Sequence, residues 1–139
     1  MDRIDDRLAV APTPTSPRPA WKGHRGFTRV LRATRHSRDG LTAAYRHEAA
    51  FREEVVLGVP LAALGWWLAP TALGGILLVA SVVAVLVVEL LNSAIEAVAD
   101  AVTTDEHPLV KRAKDMGSAA VLLSLAAAAA TWATVLLVR

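Results

Sequence analysis

The chain has no cysteine, which excludes disulfides and thiolate metal sites. It has no glycine-rich phosphate loop, and Gly74-Gly75 falls inside an apolar run where packing is the better reading. Its four histidines, His24, His36, His47 and His107, lack the spacing of a metal site. Residues 1–20 show no apolar periodicity and contain Pro12, Pro14, Pro17 and Pro19. They read as a disordered leader, and no apolar segment before a small-residue cleavage site marks a signal peptide. Charge is missing in two long stretches. None occurs between Glu54 and Glu89, and none in residues 116–138.

What is present is apolar. Hydrophobic residues make up 54% and the mean hydropathy is +0.41. A soluble fold of 139 residues would struggle to hide that much apolar surface, so a membrane is the natural solvent. The 34 uncharged residues 55–88 exceed the roughly 20 needed for one span. They divide at Trp66-Trp67-Leu68-Ala69-Pro70-Thr71, where tryptophans suit a membrane interface and proline a turn. The spacing predicts spans over about 49–68, 71–92 and 116–138. Small residues in the last, Gly117 to Ala120 and Ala126 to Ala130, permit close helix–helix approach. Residues 103–115 read as a polar loop, with Pro108 as a helix breaker.

The net charge of +2 is small, but its distribution is not even. Lys22, Arg25, Arg29, Arg32, Arg35 and Arg38 face a single acid, Asp39, between Trp21 and Thr42. Such a run suits nucleic acid or a membrane surface, and the apolar runs downstream favour the second. Phe27, Val30, Leu31 and Thr34 recur at helical spacing opposite the arginines, giving an amphipathic surface helix over about 25–47. Ser37-Arg38-Asp39-Gly40 is expected to interrupt it, with a second helix starting near Leu41. Three spans place the basic segment and the 101–115 loop on one side. The positive-inside rule makes that side cytoplasmic, with Lys111 and Arg112 solvated or at lipid headgroups.

Residues 89–100 stand apart. Glu89, Asn92, Glu96 and Asp100 fall within about 80° of one another on a helix, while Leu90, Leu91, Ile95 and Val98 are greasy. Carboxylates at the mouth of a span are costly and mark a site. Glu48, Glu89, Glu96 and Asp115 come out near the cytoplasmic interface, with Arg29 and Lys114 available for phosphate oxygens. Two carboxylates can hold Mg²⁺ together with substrate phosphates, and another can take a hydroxyl proton. On these residues alone a proton-coupled transporter or an ion channel stays open.

Glu-x-x-Asn-Ser-Ala-x-Glu-x-x-x-Asp, residues 89–100, resembles the signature of the prokaryotic diacylglycerol kinase family, small integral-membrane lipid kinases. Gly26-Phe27-Thr28-Arg29, Glu48-Ala49-Ala50-Phe51-Arg52-Glu53-Glu54 and Arg112-Ala113-Lys114-Asp115-Met116-Gly117-Ser118 agree with it. The resemblance covers residues 26–138. It implies an all-α membrane protein, a homotrimer of one surface helix and three transmembrane helices per protomer, in the bacterial inner membrane. The N-terminus and the active site would be cytoplasmic. The activity implied is phosphorylation of diacylglycerol to phosphatidic acid with ATP and Mg²⁺, and no nucleic-acid partner.

By position, the resemblance makes Glu89 the general base at the lipid hydroxyl, with Asn92 orienting groups beside it, and gives Glu48 and Glu96 the metal. Lys114 and Asp115 would contact the nucleotide, as would Arg29, Asp105, Glu106 and His107, and Ser118 would lie near the lipid. Asp100 suits a structural partner at the helix end. His36-Ser37-Arg38-Asp39-Gly40 departs from the family's Tyr-Ser-Trp-Lys-Gly, which puts the adenine-side contacts in question. One alternative keeps the chemistry and takes undecaprenol as acceptor. Another, from a different class, is a non-enzymatic transporter or scaffold.

Overall fold

The computed structural model describes residues 27–102 and 107–137. They form four helices: α1 (Phe27–His47), α2 (Ala49–Leu68), α3 (Ala72–Val102) and α4 (Pro108–Leu137). No strand occurs among the described residues. The leader and the candidate residues Asp105 and Glu106 lie outside them.

The chain divides into two units, Met1–His36 and Ser37–Arg139. In the first, residues 28–36 are exposed throughout, and the Thr34 hydroxyl donates to the Val30 carbonyl at 3.0 Å. α1 is not interrupted at 37–40 as the sequence suggests. Glycine inside a helix costs only about 1 kcal/mol relative to alanine. Beyond it the Thr42 hydroxyl folds back onto the Arg38 carbonyl at 2.8 Å. The interruption falls at Glu48, whose backbone is extended (φ −102°, ψ 114°). The Glu48 N–H still donates to Ala44 O at 2.9 Å and its carbonyl accepts from Arg52 N–H at 3.2 Å. One residue thus closes α1 and opens α2.

The turn read at 66–71 is there. The Ala69 N–H closes α2 on Gly65 O at 3.0 Å, and the Thr71 hydroxyl caps α3 by accepting the Gly74 N–H at 3.0 Å. α3 then runs to Val102, well past the expected membrane exit at Asn92. Pro108 does not break a helix but begins one, because the first helical position needs no N–H partner. His107 caps that helix, with Nδ1 accepting the Leu109 N–H at 3.3 Å.

α3 packs against both α2 and α4. The close contacts are glycines under large side chains. Val82 lies over Gly58, and Gly74-Gly75 sits under Val135 and Trp66, as the packing reading of that pair requires. Trp132 fills the space over Gly65, and its Nε1–H donates to Ser81 Oγ at 3.2 Å, which in turn donates to Leu78 O at 2.7 Å. The apolar core is small: Ala44, Phe51, Leu78, Val82, Val85 and Ala99. Leu91, Leu122, Leu123 and many other large apolar side chains point outward. So much exposed apolar surface calls for lipid.

α3 and α4 are long and apolar enough to cross a membrane. α2 differs, because Arg52, Glu53 and Glu54 occupy its first turns. Its uncharged part, residues 55–68, reaches about 21 Å at 1.5 Å per residue, short of the ~30 Å hydrocarbon layer.

Candidate active site

The buried stripe of α3 starts as an ordinary core of Leu78, Val82 and Val85 and continues in the same register as Glu89, Asn92 and Ser93. The polar residues are therefore buried by the same packing that buries the valines. Glu89 is 4% exposed and Asn92 8%, so the acidic face is sheltered and not solvated. Asn92 Nδ2 donates to Glu96 Oε1 at 3.1 Å, one turn on. Its Oδ1 lies against Gly117 of α4 and has no hydrogen-bond partner among the described residues.

Glu89 is also close enough to Glu96 and to Glu48, at the α1–α2 corner, to feel both charges. Three carboxylates from two separate stretches of chain thus share one electrostatic field, with the Asn92 amide between two of them. Cations placed among such carboxylates would stabilise the array. Among the described residues no group of three or more His, Asp or Glu is gathered as a metal cage. Glu48 and Glu96 instead match what Mg²⁺ accepts, one or two carboxylates with substrate phosphates completing the shell.

The structure adds Glu54, to which the sequence reading gave no role. It is half-buried, Oε2 has no hydrogen-bond partner among the described residues, and its carboxylate interacts electrostatically with Glu89. The signal was its register: Glu54 shares a helical face with Phe51, Gly58 and Gly65, the buried residues of α2.

The other candidates lie further out. Asp100 accepts a hydrogen bond from Lys114 Nζ at 2.9 Å, an α3–α4 bridge that gives Asp100 the structural partnership expected of it. Lys114 precedes the uncharged segment that begins at Met116, and the hydrogen bond it donates to Asp100 raises its pKa above the ordinary lysine range. Asp115 pairs with Lys111 at 2.6 Å on the exposed face of α4. Ser118 and Arg29 are exposed, and His107 caps α4.

An apolar cleft of about 400 Å³ opens in the second unit. Leu41, Tyr45, Phe51, Val55, Val87 and Leu90 are among its lining residues. Val55 and Leu90 place the cleft on α2 and α3, the helices that carry Glu54 and Glu89.

The family described as prokaryotic diacylglycerol kinase matches residues 35–136. The diacylglycerol kinase of Escherichia coli (strain K12) is 48% identical over 111 residues, covering 80% of this chain and 91% of the relative. That of Pseudomonas aeruginosa is 48% identical over 122 residues, covering 88% and 98%. That of Haemophilus influenzae is 40% identical over 111 residues, covering 80% and 94%.

Proposed function

This chain belongs to the prokaryotic diacylglycerol kinase family, and from that premise we propose that it transfers the γ-phosphoryl group of ATP to the free hydroxyl of diacylglycerol, giving phosphatidic acid. The observation that carries the reading is the buried Glu89–Asn92 pair on an otherwise apolar helix, within electrostatic reach of Glu48 and Glu96.

Glu89 is the base in this proposal. A carboxylate placed beside the acceptor can take the proton that the hydroxyl must give up as it attacks phosphorus. Asn92 keeps Glu96 turned by its 3.1 Å hydrogen bond, so that Glu96 is aimed while Glu89 stays free to meet the substrate. Glu48 and Glu96 would hold Mg²⁺, which when bound would neutralise phosphate oxygens. Lys114, Asp115 and His107 stand as nucleotide contacts, together with Arg29, Asp105 and Glu106, for which the resemblance is the only support. Ser118 stands as a lipid contact.

The apolar cleft supports a lipid acceptor. An acyl chain lying along Phe51, Val55, Val87 and Leu90 would lie on α2 and α3, the helices that carry Glu54 and Glu89. We further propose that α2 completes a third span by letting its charged first turns sit in the headgroup layer. The chain would act as a homotrimer in the inner membrane with the carboxylates on the cytoplasmic side. The basic residues 29–52 and Lys111, Arg112 and Lys114 support that orientation. The exposed flanks of α4, where Gly117 is the one buried residue among those described, leave room for other copies.

The test is phosphoryl transfer from labelled ATP in mixed micelles, with diacylglycerol and undecaprenol offered side by side. Preferential labelling of diacylglycerol is the expected result. Preference for undecaprenol would keep the chemistry and replace the acceptor, and labelling of neither would overturn the kinase reading.

A further inference from the structure

α4 meets the polar stripe of α3 at Gly117. A Cβ placed there would overlap Asn92 Oδ1 and approach Asn92 Cγ to 3.3 Å, and its next nearest neighbour is Asn92 Cα at 3.8 Å. All three atoms belong to one residue. The contrast with Gly65 is informative, since there a Cβ would run into the Trp132 ring at 2.7 Å and Leu78 Cβ at 3.1 Å. A methyl at 65 strikes two bulky neighbours. A methyl at 117 strikes chiefly the end of one rotatable side chain, which can swing away without moving α4.

Swinging away has a chemical consequence. The Asn92 carboxamide is planar, so Oδ1 and Nδ2 turn together. Among the described residues its Oδ1 makes no hydrogen bond that would resist the turn, while its Nδ2 makes the 3.1 Å bond to Glu96. Among the described residues, the only side-chain hydrogen bond lost is the one that aims Glu96.

We infer that Gly117 is a positioning residue for phosphoryl transfer: the side chain missing from α4 leaves the space in which Asn92 presents its amide N–H to Glu96. Gly117 acts through Asn92. This rests on the kinase reading and extends it to α4. A glycine that merely lets two membrane helices approach would act on packing instead.

The two roles separate in a double-mutant cycle of Gly117→Ala with Asn92→Ala. Labelled ATP in mixed micelles gives the rates. The sequence supplies a second readout, because Asn92 is its one asparagine and it contains no glutamine. A ¹⁵N-labelled sample therefore shows a single side-chain amide pair, which belongs to Asn92.

Gly117→Ala alone should shift that pair and lower kcat at least tenfold, with helix content and melting midpoint nearly unchanged. In the Asn92→Ala background the same substitution should change the rate less than twofold. Equal fold-losses in both backgrounds, or an unmoved amide pair, would overturn the inference. If Gly117→Ala does not fold, recovery of the fold in the double variant supports the Asn92 contact and failure to recover overturns it. A wild-type protein that phosphorylates no lipid would remove the kinase reading, yet the amide pair would still decide whether Gly117 sets Asn92.

Discussion

Replacing Glu89 by glutamine removes a proton acceptor and almost no volume. The site is 4% exposed, so the new amide occupies a packed position and leaves no cavity. If Glu89 is the base, the rate falls by the ~10²–10⁴-fold that such a group contributes, or about 2.7–5.4 kcal/mol of barrier. Stability should move the other way or not at all. Glu89 shares its surroundings with Glu48, Glu96 and Glu54, and a neutral amide among carboxylates is easier to bury than another charge. The expected signature is a dead enzyme that melts no earlier than the parent. It is measured as phosphoryl transfer in mixed micelles beside a thermal melt followed by circular dichroism. A rate above about a tenth of wild type would remove Glu89 as base. A midpoint lower by more than a few degrees would show instead that the carboxylate holds the fold.

Glu96→Gln should raise the Mg²⁺ concentration needed for half-maximal rate, because one charged oxygen donor is lost; an unchanged Mg²⁺ titration would take Glu96 out of the metal site. Gly65→Ala should destabilise the helix packing by about 1–3 kcal/mol, since its Cβ meets the Trp132 ring and Leu78. Its rate per folded molecule should stay at the wild-type level, and a selective loss of rate would show that the two ends of α3 are coupled.

The signature on α3 was legible because charge there interrupts an apolar run, and three carboxylates in one register cannot be placed by chance packing. The turn at 66–71 was legible for a similar reason, since proline and a capping threonine leave few alternatives. The interruption assigned to 37–40 was misplaced because Gly40 has open space around it and simply continues the helix. The end of α1 has no such marker: Glu48 turns the chain without proline or glycine. Pro108 was read as a stop when its position makes it a start. Glu54 escaped because α2 buries Gly58 and Gly65, small residues that leave no apolar stripe to reveal an inner face. The same cause hides the role of Gly117, whose meaning lies in the side chain across from it.

The hydrogen bond between Trp132 and Ser81 sits eleven residues before Asn92 on α3, about 16 Å along the helix axis. One fastening of α3 to α4 thus stands well away from the proposed site on the same rigid rod, while the Asp100–Lys114 bridge holds the other end. Such a division makes the protein tolerant as a scaffold. Variation around Gly65, Leu78, Ser81 and Trp132 can tune how firmly the helices hold without altering what the carboxylates do. A selection for heat resistance should collect its changes there, while a selection for a new acceptor should collect them around Phe51, Val55 and Leu90.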